Sequence, residues 1–212
     1  MIGPKREVPV VGLTGGVAAG KSWLANELQQ RGATVIDADA IGHQVLRRPL
    51  VIRSLANSLG PQIVDSAGQI DREKLASLVF GSDEMSTLRR RLLEMTVHPA
   101  IQADVIRAMR RALRSPSVPM IVIDAPLLLE ARWGRMCDHI VFVDAPRSVR
   151  QHRALRRGWS AEQFAARESA QMDVEQKRRA ADFVLEFTED DQRMREQIDQ
   201  LWHRIVHEAA SR

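Results

Sequence analysis

Residues Gly15-Gly16-Val17-Ala18-Ala19-Gly20-Lys21-Ser22 fit the spacing G-x-x-x-x-G-K-[ST] of a phosphate-gripping P-loop. Each residue type has separate work there. The glycines let backbone N–H groups turn inward around phosphate oxygens, and the helix that follows points its positive end at them. Lys21 reaches the β and γ phosphates of a nucleotide, and Ser22 can ligate Mg²⁺. The loop therefore predicts ATP held by Gly15, Gly16, Val17, Ala18, Ala19, Gly20, Lys21, Ser22 and Trp23. A phosphate grip alone does not name a reaction, so the acceptor has to be read from other residues.

The stretch TVIDADAIGHQV supplies two carboxylates, Asp37 and Asp39. If both end a strand, alternate positions face one side, and both project toward the phosphates. A carboxylate there orients an acceptor hydroxyl and takes its proton during a transfer that asks the protein mainly for positioning and charge neutralisation. The bland alternative is that one or both cap a helix beginning near Ala40. His43, four residues after Asp39, falls on the same helical face, as an acceptor contact or as a surface residue. Asp124 ends the apolar run MIVID, where a carboxylate could hold Mg²⁺ or serve only a turn before Pro126. Arg147, Arg150, Arg153 and Arg157 recur on one helical face, and one or two could close over the phosphates while the rest are surface charge. Glu130 reads equally as a surface helical charge. His98-Pro99 reads as a break between two helices.

These residues need a scaffold. Strand-like runs at Val8–Leu13, Thr34–Asp37, Met120–Asp124, His139–Val143 and Phe183–Leu185 alternate with helical segments, the pattern of a mainly parallel sheet flanked by helices. The runs are short and apolar, as buried parallel strands are. A helix over Lys21–Arg31 ends at Gly32. Residues 40–118 are mostly helical and read as a lobe inserted between strands. Residues 147–181 form a second, arginine-rich helical segment, with a capping box from Ser160 to Gln163. Met194, Ile198, Leu201 and Ile205 form an apolar stripe on the last helix. The expectation is one α/β domain of 212 residues, with core 1–39, 119–146 and 182–212, insertion 40–118 and lid 147–181.

Composition narrows the class. Hydrophobic residues are 44% and charged residues 27%, ordinary for a globular protein, and no apolar run is long enough to predict a membrane span. The N-terminus lacks a signal-peptide pattern and Cys137 is the single cysteine, so the expected compartment is the cytoplasm. Net charge is +4, yet aromatics are 4% with no tyrosine. That favours a small phosphorylated ligand over nucleic acid.

The runs GLTGG....GKS, IDAD.I.H.V, G.IDREKL..LVF from Gly68 to Phe80, His98-Pro99 and APLLLE from Ala125 to Glu130 come in one order. Together they resemble the dephospho-coenzyme A kinase family, with a weaker likeness continuing through Arg153, Arg157, Arg167, Gln171 and AADFVLE. The resemblance implies a P-loop kinase fold with an inserted helical acceptor lobe and a helical lid. It implies transfer of the γ-phosphate of MgATP to the 3′-hydroxyl of dephospho-CoA, the last step of coenzyme A biosynthesis. It makes Asp39 the catalytic carboxylate, assisted by Lys21, Arg153 and Arg157. It assigns acceptor contacts to Thr14, Asp39, His43, Leu75, Phe80 and His98, and metal contacts to Ser22 and Asp124. The chain departs from the family pattern at Ala18-Ala19, where glycine-serine is usual, at LRRPLVIRSL after Val45, and at Phe187-Thr188-Glu189 in place of an asparagine and glycine. Trp23 stands where many small-molecule kinases carry a second hydroxyl residue. The competing readings are another P-loop kinase acting on a nucleoside monophosphate or small metabolite, a nucleotide-driven ATPase or switch, and an inactive relative.

Overall fold

The computed structural model describes residues 8–81, 83–115, 117–188 and 190–210. The first seven residues, read above for a leader, and Glu189 lie outside them. In chain order the elements begin with β1 (Val10–Gly15), α1 (Lys21–Gln30), β2 (Thr34–Asp37), α2 (Ala38–Val45), α3 (Pro49–Leu59), α4 (Arg72–Val79) and α5 (Glu84–Ala112). They continue with β3 (Ile121–Asp124), β4 (His139–Asp144), α6 (Arg147–Arg156), α7 (Ala161–Ser169), α8 (Val174–Arg179), β5 (Phe183–Glu186) and α9 (Asp191–Ala210). The chain divides into two compact units, one running up to Asp37 and resuming at Ala108, the other comprising Ala38–Arg107.

The first unit is built on a five-stranded sheet in the order β2-β3-β1-β4-β5. Every pair is parallel. Central β1 is buried along its whole length, which is why it reads as a continuous apolar run rather than an alternating one. On one face Val11 and Leu13 pack with Leu24, Ala25 and Leu28 of α1 and with Met194, Ile198, Leu201 and Ile205 of α9. The stripe of the last helix is therefore core. β2 has its expected bounds; the other strands differ at one or both ends, β1 most, because its pairing with β4 continues to Gly15.

The register sets the functional edge. Leu13 and Asp37 both pair with Asp124, so β2 and β3 finish level with each other and β1 runs two residues further to Gly15, at the carboxyl edge where open parallel sheets bind ligands. Between β1 and α1 the chain turns tightly, with Ala19 N–H donating to Gly16 O at 3.2 Å. Helix α1 ends in a Schellman motif: Gly32 N–H donates to Gln29 O and Ala33 N–H to Leu28 O, with Gly32 at φ 103°.

The second unit is helical. Its buried residues include Val45, Leu55, Leu59, Ile63, Leu75, Val79, Val97 and Val105. Asp71 caps α4 by accepting from the Glu73 and Lys74 amides, worth about 1 kcal/mol. Two expectations fail here. Asp39 does not continue the strand: β2 stops at Asp37, and Asp39 sits in the first turn of α2, so strand alternation does not relate the two carboxylates. Nor does His98-Pro99 separate two helices, because α5 runs through Pro99 without a break. Pro99 has no N–H to give to the carbonyl of Met95, and Met95 is 73% exposed, so water can serve that carbonyl.

Candidate active site

The loop Gly15–Ser22 joins the buried strand to a helix that starts without a protein cap. Gly20, at φ 111°, occupies the cap position with no side-chain hydrogen bond, and the first turn of α1 contains no acidic residue. Side chains that satisfy most helix starts are missing there, and the amides and dipole are left for an anion. Lys21 is 9% exposed, and its ammonium donates to Gly16 O at 3.3 Å, folding back over the loop.

Asp124 closes the other side. The Ser22 hydroxyl donates to its carboxylate, with Lys21 and Asp37 close enough to act on its charge. Burial pushes the Asp124 carboxyl above its ordinary value, the Ser22 bond and Lys21 oppose this, and Asp37 adds to it. Thr14, the penultimate residue of β1, is 1% exposed, and its Oγ1 has no hydrogen-bond partner. Among the described residues no cluster of three or more His, Cys, Asp or Glu side chains could hold a metal by itself. A hydroxyl and one or two carboxylates are instead what Mg²⁺ takes from a protein when phosphates complete its shell. The donor set fits.

The helices after β4 reach the loop from outside. Val17 packs with Ala154 of α6 and Phe164 of α7 in a small apolar cluster. Arg153 donates to Ala19 O at 2.7 Å and lies over the Phe187 ring, 4.2 Å from its centroid. Burial and the neighbouring Arg157 push its guanidinium below the usual value for arginine. Arg157 is the C-cap of α6, one residue past the helix. The capping box is present: Ser160 accepts from the Gln163 amide while Gln163 accepts from that of Ser160.

The structure thus brings together Thr14, the loop from Gly15 to Trp23, Asp124, Arg153 and Arg157 within the first unit. Trp23 is 47% exposed. Asp39, His43, Leu75, Phe80 and His98 belong to the second unit. There the His43 ring lies 2.9 Å from an Arg72 guanidinium nitrogen, Leu75 is buried and Phe80 exposed. Burial lowers the affinity of His98 for a proton, against a smaller opposing effect of Glu94.

Glu130 and Arg150 are placed differently from their sequence readings, and Lys177 escaped the sequence reading. Glu130 is no surface charge: its Oε1 lies 2.9 Å from the ammonium of fully buried Lys177 and accepts from the Met172 amide. Lys177 also donates to Gln171 Oε1 and to Pro126 O, tying α8 to the loop after Asp124. Arg150, one of four arginines read on one helical face and not among the two singled out for the phosphates, is buried and paired with Glu168. In sequence neither Lys177 nor Arg150 stands out, because each lies among other basic residues of its helix.

Comparison with solved structures supplies the class. Shikimate kinase from Acinetobacter baumannii superposes with a TM-score of 0.51 at 12% identity, covering 95% of this chain and 94% of that one, so the fold is that of the P-loop kinases. The family is narrower still. The family model described as CoaE, dephospho-CoA kinase, matches residues 9–196, and the chain belongs to that family. A dephospho-CoA kinase from Symbiobacterium thermophilum is 38% identical over 196 residues, 91% of this chain and 80% of that one. One from Deinococcus radiodurans is 40% identical over 177 residues, 83% and 82% of the two chains. A crystal structure from Thermus thermophilus superposes with a TM-score of 0.77 at 33% identity over 95% of this chain and 97% of that one.

Proposed function

We propose that this chain is a dephospho-CoA kinase that moves the γ-phosphate of ATP to the 3′-hydroxyl of dephospho-CoA, giving ADP and CoA. The observation that carries the reading is the single family description running from residue 9 to residue 196, across the phosphate loop, the helical unit and the arginine-bearing helices.

In the proposed mechanism the loop amides and the start of α1 hold the ATP phosphates, and Lys21 neutralises charge on the transferring group. Ser22 and Asp124 would hold Mg²⁺, which when bound would neutralise phosphate charge. Asp39 orients the acceptor 3′-hydroxyl and takes its proton. The 3′-oxygen forms its bond to the γ-phosphorus as the bond to the β–γ bridging oxygen breaks, and ADP leaves with that electron pair. Support for Asp39 comes from its position two residues beyond Asp37, which pairs with Asp124, and from its place in the first turn of α2. Arg153 and Arg157 serve the nucleotide side. We assign acceptor contacts to Thr14, His43, Leu75, Phe80 and His98, and the helical unit to acceptor binding. The orphaned Thr14 hydroxyl supports its assignment, since a buried donor without a partner costs about 1–3 kcal/mol until something accepts from it.

No described helix is long and apolar enough to cross a membrane. We assign the reaction to the cytoplasm, with one cysteine in 212 residues as support, and infer no nucleic-acid partner from the 4% aromatic content without tyrosine. The test is ADP release with MgATP and dephospho-CoA, AMP, CMP or no acceptor. Release with dephospho-CoA alone is expected; equal release without an acceptor would move the chain to the ATPases, and release with AMP or CMP to the nucleotide kinases.

A further inference from the structure

Arg150 lies beneath the phosphate loop with 5% of its surface exposed. Its Nε donates to Ala145 O at 3.1 Å, and its Nη1 donates to Val17 O at 3.4 Å and to Glu168 Oε1 at 2.5 Å. The guanidinium presses against Gly16: a Cβ built on that glycine would stand 2.7–2.9 Å from Arg150 Nη1, Cζ and Nε. Glu168, in α7, gives its other oxygen to Arg147 Nε at 3.0 Å. The Phe164 ring lies under both arginines, 5.4 Å from the guanidinium carbon of Arg147 and 5.8 Å from that of Arg150.

The direction of these bonds matters more than their number. A trans peptide unit is planar, so its carbonyl and the next residue's N–H point opposite ways. Drawing Val17 O outward to Arg150 therefore turns the Ala18 N–H inward. Arg153, one turn along α6, draws Ala19 O outward at 2.7 Å and so turns the Gly20 N–H inward as well. Alternate carbonyls are held from behind, and the intervening amides face the place where phosphate oxygens bind. Ala18 stands at φ 58°, a region alanine enters reluctantly, so this loop geometry is being imposed from outside.

We propose that Arg150 is a positioning residue for the phosphate loop and that Glu168, by neutralising it in a buried site, makes α7 a determinant of nucleotide affinity. The proposal rests on the nucleotide reading of the loop. A buried cation is tolerated only with a partner, and Glu168 is that partner. Through Arg150 the loop accordingly takes part of its shape from α7.

The test uses the full chain and titration calorimetry with ADP and with MgATP, alongside steady-state kinetics and melting temperature. The variants are Arg150→Met, Glu168→Leu and the double replacement, which leaves neither charge stranded. Arg150→Met is expected to weaken nucleotide binding about 10–100-fold, the range seen when an outer-shell partner is removed at a metal site, with KM for dephospho-CoA within about twofold of the parent. The double variant is expected to regain most of the melting temperature lost by Arg150→Met and none of the affinity. Recovery of both together would make the pair a packing feature and overturn the proposal. So would unchanged nucleotide affinity in Arg150→Met. An unmodified protein that binds neither nucleotide would instead refute the nucleotide reading itself, an outcome visible before any variant is made.

Discussion

Replacing Lys177 by methionine should destabilise the protein more than any surface substitution, and the effect should depend on Glu130. The Lys177 ammonium is fully buried, with Glu130 Oε1 and Gln171 Oε1 each at 2.9 Å and Pro126 O at 3.4 Å. All three of its donors are used. The Lys177→Met change keeps the length of the stem and removes the charge. Glu130 is then left in a site where its side chain is 20% exposed and its Oε2 already has no partner. Removing one member of a buried pair costs about 3–5 kcal/mol, and the partial exposure of Glu130 argues for the lower end. For a chain of this size each kcal/mol moves Tm by about 2–4 °C, so a fall of roughly 6–12 °C is expected. Glu130→Gln keeps an acceptor for the Met172 amide and removes the stranded charge. The double variant should recover at least half of the loss. Urea unfolding of the parent, both single variants and the double variant measures the coupling directly. Additivity to within about 0.5 kcal/mol, or a loss below about 1 kcal/mol in Lys177→Met, would refute the reasoning.

Asp39→Asn should lower kcat by about 10²–10⁴-fold with ATP affinity nearly unchanged in calorimetry; retained turnover would remove Asp39 from the mechanism. Asp124 has a folded-state pKa raised by burial above 3.8, so its contribution to stability is complete below that value and is lost as pH rises through the raised one. Asp124→Asn should therefore raise the Tm of the nucleotide-free protein more at pH 8 than at pH 4, while lowering turnover and raising the Mg²⁺ concentration needed for half-maximal rate, and melting curves at the two pH values check the sign. Ala18→Gly should relieve the left-handed conformation at φ 58° and raise Tm by about 2–4 °C, for about 1 kcal/mol of relief; a lower Tm would show that the Ala18 methyl contributes more by packing.

Much of this was visible in the chain because the relevant signals are local. The strand VVGLTG is apolar throughout because both faces of β1 are covered, and the loop that follows must have glycines wherever backbone approaches an anion. Ser160 and Gln163 are three residues apart, so their reciprocal cap could be read directly, as could the stripe from Met194 to Ile205. What escaped depends on distance along the chain. Nothing near Lys177 announces that Glu130 neutralises it, and Arg150 resembles Arg147 in sequence although one is buried and the other largely exposed. Asp39 was placed on the strand because IDAD continues its texture, but the chain turns into α2 at Ala38. Pro99 was read as a helix break, yet a long helix with an exposed flank can pass through a proline when water serves the freed carbonyl.

The most direct test of the central claim is the site of phosphorylation. With γ-labelled ATP, dephospho-CoA and its 2′-deoxy analogue should both accept label, the 3′-deoxy analogue should accept none, and phosphorus NMR of the product from dephospho-CoA should show a new 3′-phosphomonoester. Label on the 3′-deoxy analogue, or a product phosphorylated at any other position, would contradict the account.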